Sequence, residues 1–387
     1  MSWLKNNQKD KVKLLLITNI IAPYRIPVWN YIARADDFDF KIFFMKESEY
    51  NREWKIALKE IDFKYKILSG LHLPIKKLSW EVHLNFSIWP ELKKENPDIV
   101  ILDGYDAPTI WLALLWTKLR RKKVVFWIGS TLFSSKKNKG IIGRIKRFFI
   151  KLGDSFIAYG QSAKEYLLFL GAKKEMIFTG CNVCDQDFFR NGTNNYRERP
   201  EFFEERKTYP LVLFLFVGHL IRRKGIIELL RALYETKDKN WGLIIIGNGP
   251  LYSEIKKFIE KNDLKQKIWL FGFKQKDELI RYYALADIFL FPSLQEPYGI
   301  VISEALASGL FCLSSKYAGA SYDLIQEGIN GCLIDPKNPE DLKTKIELVI
   351  KKFMEKPWNR NGIANSIKKF SSEYYGQKVI EAVKKFL

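Results

Sequence analysis

Leu211-Val212-Leu213-Phe214-Leu215-Phe216-Val217-Gly218-His219-Leu220-Ile221-Arg222-Arg223-Lys224-Gly225 is the stretch on which the fold turns. Its apolar run, Leu211 to Val217, shows no alternation. Both faces of such a strand are buried, as in a parallel sheet covered by helices. A glycine follows, then a basic loop, a second glycine and a helical run from Ile226 to Thr236. Strand, loop and helix in that order form one unit of a doubly wound α/β sheet. The loop sits at the carboxyl end of its strand, where such sheets bind ligands. Backbone N–H groups and the positive helix end favour an anion there, and Arg223 and Lys224 add full charges. Gly218 lets the chain turn sharply, and Gly225 lets a ligand approach the backbone. The loop reads as a phosphate site, with a solvated basic turn as the alternative.

The same alternation extends both ways. Toward the C-terminus, strands are expected at 243–246, 268–271, 288–292, 311–314 and 332–334, separated by helices at 251–262, 276–283, 299–308 and 321–326. Helices at 340–355 and 371–387 close the chain. Toward the N-terminus, strands are expected at 12–20, 40–45, 65–68, 98–103, 124–128, 156–159 and 176–179, with helices at 26–35, 107–120 and 162–170. The polar stretch Asp185–Tyr209 interrupts this pattern and reads as a linker. The chain therefore divides into a domain at 1–185, a linker at 186–209 and a domain at 210–370. Each domain is a doubly wound parallel sheet, and the two enclose a cleft between strand ends.

A chain of 387 residues supports this division, because cores split at roughly 100–200 residues. With 47% hydrophobic and 28% charged residues, it is neither disordered nor fibrous. Four cysteines exclude a disulfide scaffold. No apolar run reaches the ~18–20 residues of a membrane span. Leu14–Ala22 is followed by Pro23-Tyr24-Arg25 rather than a cleavage site, so a buried strand and a cytoplasmic protein are expected. Sixty-four Lys and Arg against 44 Asp and Glu give a formal charge of +20. That surplus points to an anionic partner: nucleic acid, a phosphorylated small molecule or an acidic lipid surface.

Two further loops end strands of the second sheet. Gly247-Asn248-Gly249-Pro250 is by itself only a turn signal. Pro292-Ser293-Leu294-Gln295-Glu296-Pro297-Tyr298-Gly299-Ile300-Val301-Ile302-Ser303-Glu304-Ala305 places Glu296 in a loop and Glu304 early in a helix. Both carboxylates then lie at the rim of the sheet. There a carboxylate can accept from a ribose diol, although ordinary surface acids fit the same positions.

The frame Glu296-Pro297-Tyr298-Gly299 to Glu304-Ala305-Leu306-Ala307-Ser308-Gly309 closely resembles the signature of family-4 retaining glycosyltransferases. Val217-Gly218, Lys224-Gly225, Gly247-Asn248-Gly249-Pro250, Ala286-Asp287-Ile288, Pro292-Ser293 and Asn330-Gly331 follow in that family's order. The resemblance implies a GT-B fold: two Rossmann-like doubly wound parallel-sheet domains facing a central cleft. The nucleotide-sugar donor is then held mainly by the second domain, and the helix at 371–387 crosses back to the first. It implies that Arg223 and Lys224 hold the donor diphosphate, with Glu296 near the transferred sugar and Glu304 on the ribose. Gly218, His219, Gly225, Gly247, Tyr298, Gly299, Ile300 and Gly319 would surround the donor, a UDP- or GDP-sugar. His219 replaces an arginine of many relatives and is a weaker phosphate ligand. The resemblance also implies a glycan or lipid-linked acceptor from surface polysaccharide assembly, no cofactor and no metal.

The first domain has Ala22-Pro23-Tyr24-Arg25 where many relatives carry a glycine pair. Arg25 either reaches a phosphate or is a salt-bridged loop residue. Asp103, Trp127 and Ser130 end strands, and they either meet the acceptor or form turns over a core tryptophan. Arg52 with Trp54 resembles a feature of some relatives and has no evident role. Cys181 and Cys184 read as reduced structural thiols, and Asp36-Asp37-Phe38-Asp39 as a turn. Lys136–Lys151 interleaves seven basic residues with apolar ones. It forms either an amphipathic helix on the inner face of an anionic membrane or a helix with a solvated basic face. The rival functions are an inverting transferase, a nucleotide-sugar epimerase and a basic nucleic-acid binder. No nucleic-acid motif supports the last.

Overall fold

The computed structural model describes residues 11–50, 52–75, 80–135, 137–237 and 240–387. Strands of the first half are β1 (Val12–Thr18), β2 (Phe38–Phe44), β3 (Lys64–Ile67), β4 (Leu71–Ile75), β5 (Trp80–Leu84), β6 (Ile99–Asp103), β7 (Lys123–Ile128), β8 (Ser155–Ala158) and β9 (Ile177–Thr179). Those of the second half are β10 (Val212–Val217), β11 (Trp241–Ile246), β12 (Ile268–Leu270), β13 (Ile288–Phe291), β14 (Phe311–Ser315) and β15 (Gly331–Ile334). The main sheets run β3-β2-β1-β6-β7-β8-β9 and β12-β11-β10-β13-β14-β15. All pairings within them are parallel. Each sheet grows outward from its first strand in one direction and then in the other. The reversals fall between β1 and β6 and between β10 and β13, and an open α/β sheet has its ligand crevice at such a point.

Burial explains the unbroken apolar strands. Leu213, Phe214, Leu215 and Phe216 are fully buried. In the first sheet, Leu15 and Ile17 join one core while Leu14 and Leu16 join the other. The helices Pro108–Leu119 and Gln161–Phe169 supply the first core. Ile26–Ala33 and Ser372–Lys384 supply the second. The C-terminal helix thus lies on the first domain. Gly376 gives it room, since a Cβ there would sit 2.4 Å from Tyr31.

Two parts of the architecture differ from expectation. β4 and β5 form an antiparallel hairpin, with Leu71 opposite Leu84, that the sequence pattern did not mark. Leu71 and Leu73 are exposed while Glu81 and His83 are buried, so the hairpin's inner face is polar and no apolar alternation marks it. The segment at 186–209 is not an open linker but two helices, Gln186–Arg197 and Pro200–Lys207. Asp185 caps the first, its carboxylate accepting the Phe188 N–H at 3.1 Å. Arg197 donates to the carbonyls of Ser308 at 2.8 Å and Tyr283 at 3.2 Å. Arg206 pairs with buried Asp287 at 2.8 Å. The polar residues that suggested a linker bind backbone ends and charges of the second domain.

Candidate functional site

The basic loop closes against the loop after β13. Gly225 has φ +68° and opens the helix Ile226–Glu235. A Cβ at Gly225 would sit 1.9 Å from the Pro292 carbonyl oxygen, so the close approach that needs glycine is between two loops of the protein itself. Leu294 N–H and Ser293 Oγ–H both donate to the Arg223 carbonyl, at 2.8 and 3.0 Å. Gly247 leaves room in the same way, because a Cβ there would lie 2.0 Å from the Gly218 oxygen.

This packing brings Lys224 and Arg223 onto one carboxylate. Lys224 Nζ donates to Glu296 Oε2, and Arg223 approaches the same oxygen at 3.2 Å. The Lys224 side chain is 12% exposed and lies over the Phe291 ring, whereas Arg223 is 46% exposed. Burial alone would raise the Glu296 carboxyl, but the charges of Lys224 and Arg223 hold it below the usual carboxylate range. Burial pulls the Lys224 ammonium down, with Glu296 opposing and Arg223 adding repulsion. His219 is also pushed down, by burial and then by Arg52, Arg223 and Lys224. It therefore stays uncharged near neutral pH, in line with a weaker phosphate ligand.

Glu304 stands in the first turn of the helix Val301–Ala307 and accepts the Tyr283 hydroxyl at 2.8 Å. Burial lifts its carboxyl to about 7, opposed by that hydrogen bond and by Lys276. Sequence reasoning missed Tyr283. It comes from a different helix, Lys276–Leu285, and nothing local announces it.

Some expected residues lie elsewhere. The Tyr298 side chain is 4% exposed and donates to Cys181 Sγ at 2.9 Å, so it points to the domain junction. Gly299, with φ +98°, packs on Phe291, and Ile300 caps the helix Val301–Ala307. Gly319 packs on the Pro297 carbonyl, beside Glu296. Trp127 is 1% exposed under Tyr375 of the C-terminal helix, so its ring offers no face to a sugar. Arg25 is buried and pairs with Asp103, which also accepts from Thr18 at 2.6 Å and Tyr159 at 3.3 Å. This cluster plugs the first sheet's reversal point, and the salt-bridged alternative describes Arg25. Ser130 is partly exposed and accepts the Tyr105 hydroxyl at 3.2 Å.

Cys181 and Cys184 are buried free thiols. Among the described residues, no group of three or more His, Cys, Asp or Glu is arranged to hold a metal ion. A groove of about 650 Å³ lined by Lys11, Lys13, Asp39 and Lys64 lies at the amino ends of β1 to β3. It lies at the opposite, amino end of its strands, whereas Lys224, Glu296 and Glu304 follow the carboxyl ends of second-sheet strands.

Two facing doubly wound domains, with paired cations and two acids at the second domain's reversal point, define the GT-B class. Residues 198–365 match the family described as glycosyl transferases group 1. An uncharacterized glycosyltransferase of Methanocaldococcus jannaschii is 33% identical over 172 residues, 44% of this chain and 46% of the relative. The sulfoquinovosyl transferase of Arabidopsis thaliana is 30% identical over 188 residues, 46% of this chain and 36% of the relative. The chain spans about half the length or less of these curated relatives. Among solved structures, Anabaena HepE in complex with UDP has TM-score 0.74 and 16% identity, over 97% of this chain and 100% of that one. The lipopolysaccharide outer core galactosyltransferase WaaB, in apo form, has TM-score 0.70 and 19% identity, over 97% and 100%.

Proposed function

We propose that the protein transfers a sugar from a UDP- or GDP-sugar to a hydroxyl of a glycan or lipid-linked acceptor, with retained anomeric configuration. The observation that carries this reading is the Lys224–Arg223–Glu296 cluster at the point where the second sheet reverses. As the bond from the sugar's anomeric carbon to phosphate breaks, its electron pair moves onto the diphosphate. Cations already in place stabilise that growing charge. The acceptor oxygen bonds to the carbon on the face the phosphate leaves, and its proton passes to a phosphate oxygen. This route requires no side-chain base. Glu304 accepts the ribose hydroxyls. Relatives named for O-antigen biosynthesis in Escherichia coli and amylovoran biosynthesis in Erwinia amylovora support a surface-glycan acceptor.

The helix Gly140–Lys151 supports a peripheral position on an anionic bilayer. Ile141, Ile145 and Phe148 are 74%, 47% and 59% exposed, between exposed Lys139, Arg144 and Lys151. Lys136 lies outside the described residues. No helix among the described residues is long and apolar enough to cross a membrane.

Lys224→Ala tests the reaction. Turnover should fall by ~10²–10³-fold while circular dichroism keeps the wild-type fold. Unchanged turnover refutes the phosphate assignment. Proton NMR of the product reads the anomeric configuration: inversion points to an inverting transferase, and free sugar released without acceptor to an epimerase.

A further inference from the structure

Residues 52–55 leave the first domain and attach to the second. Gln275 Nε2 donates to the Glu53 carbonyl at 2.9 Å, and its Oε1 accepts the Lys55 N–H at 3.1 Å. Asn248 Nδ2 donates to the two Glu53 carboxylate oxygens at 3.3 and 3.1 Å. Asn248 belongs to the turn after β11, and its carbonyl accepts the Leu220 N–H at 2.8 Å, next to His219. Arg52 is thereby carried to the edge of the basic loop.

The root of this strap is built. Arg52 N–H donates to the Glu49 carbonyl at 3.0 Å. The Glu49 carboxylate is held by Asn19 at 3.0 Å and faces His83 at 3.4 Å. The Arg52 guanidinium lies 4.9 Å over Trp54, whose ring meets Tyr24 edge-on. Its ion pair with Glu49 is loose at 3.7 Å, and the side chain is 41% exposed. Arg52 repels protons on both His219 and Lys224. Cations gathered from two domains repel one another until an anion lies among them.

We propose that Arg52 is an anion ligand that the first domain delivers across the cleft to the donor's diphosphate. The inference rests on the nucleotide-sugar reading above and deepens it: cations from both domains enclose the phosphates.

Calorimetric titration of UDP, GDP, ADP, CDP and dTDP against wild type, Arg52→Ala and Lys224→Ala tests it. The diphosphate that binds wild type should weaken by ~10–100-fold in Arg52→Ala, the scale of a charge-assisted hydrogen bond. The matching monophosphate should change little. Millimolar guanidinium should restore affinity to Arg52→Ala, a rescue that a merely structural arginine does not allow. Asn248→Ala with Gln275→Ala should weaken the same diphosphate while Arg52 is intact, because the strap is no longer held. If Lys224→Ala loses binding while Arg52→Ala keeps it within about twofold, the Arg52 role is overturned and the pocket stands. If Lys224→Ala binds like wild type, or no diphosphate binds wild type, the pocket itself is overturned and Arg52 with it.

Discussion

Lys224, Glu296 and Glu304 share one rim but differ in charge behaviour. Glu296 sits against two cations and stays ionised, whereas Glu304 meets a hydroxyl and little positive charge. Its carboxyl, lifted from 4.5 to about 7 by burial, keeps a proton that the unfolded chain has already released. The stability this confers is therefore lost as pH rises through the window from 4.5 to about 7. Glu304→Gln should unfold at a higher temperature than wild type above that window, and a melt at or below the wild-type temperature would contradict the burial argument. The charged carboxylate is the form that accepts both ribose hydroxyls. Donor affinity should thus fall as pH drops below about 7, and Glu304→Gln should weaken binding and flatten that dependence in a calorimetric pH series. The rim position of Lys224 and the two glutamates was legible because each lies in a loop or first turn directly after a strand. Tyr298 and Trp127 occupy equally suggestive positions, but their rings turn into the interior. Side-chain direction at a strand end depends on neighbours distant in sequence.

Among elements, the helices after residue 185 are the instructive case. A polar composition with Arg190-Asn191-Gly192 suggested a linker, and the helix Gln186–Arg197 found there is capped by Asp185 and docked on Lys276–Leu285 and Val301–Ala307. Its neighbour is tied down through Asp287, which is 7% exposed and pairs with Arg206 and Arg360, each at 2.8 Å. Asp287 also accepts the Leu213 N–H at 2.9 Å, at the start of β10. Removing one partner of a buried ionic cluster leaves the others unpaired, at a cost of ~3–5 kcal/mol. Asp287→Ala should lower the denaturation midpoint by that amount. A loss near the ~0–1 kcal/mol of a surface pair would show that the cluster is solvated instead. The C-terminal helix carries the same lesson. Its amphipathic pattern was readable, but the surface it covers, with Tyr375 over Trp127, belongs to a strand far back in the chain.

For the whole molecule, the proposed function divides the formal charge of +20 between two targets, a donor in the cleft and an anionic bilayer. Part converges on the cleft, and part is spread over the helix Gly140–Lys151 and its surroundings. Sedimentation with vesicles separates them. Wild type should bind vesicles rich in anionic lipid, bind neutral ones weakly, and release as salt shortens the screening length from ~10 Å at 0.1 M to ~3 Å at 1 M. Ile141→Ser with Phe148→Ser should reduce vesicle binding and leave turnover on a soluble acceptor unchanged. Equal binding to neutral vesicles at high salt would exclude the electrostatic account. The domains also touch directly: Gln295 Nε2 donates to the Ser134 carbonyl at 2.7 Å, and Phe133 stacks on Tyr322 with ring centres 6.0 Å apart. These contacts hold the first-domain loop at Phe133 and Ser134 against the residue preceding Glu296.

The sequence by itself determined the strand-loop-helix units, their division into two sheets, and the placing of Lys224, Glu296 and Glu304 at the ends of the second sheet's strands. All of these follow from burial of continuous apolar runs and from turn residues within a few positions of each strand. Only the tertiary structure decided which strand-end side chains turn inward, which acid receives a hydroxyl, and that Arg25 spends its charge on Asp103. It also decided that Glu53 meets Asn248, 195 residues away, and so brings Arg52 to the basic loop. Hydrophobic period and turn chemistry are local in the chain, whereas desolvation and charge pairing depend on what folding places nearby.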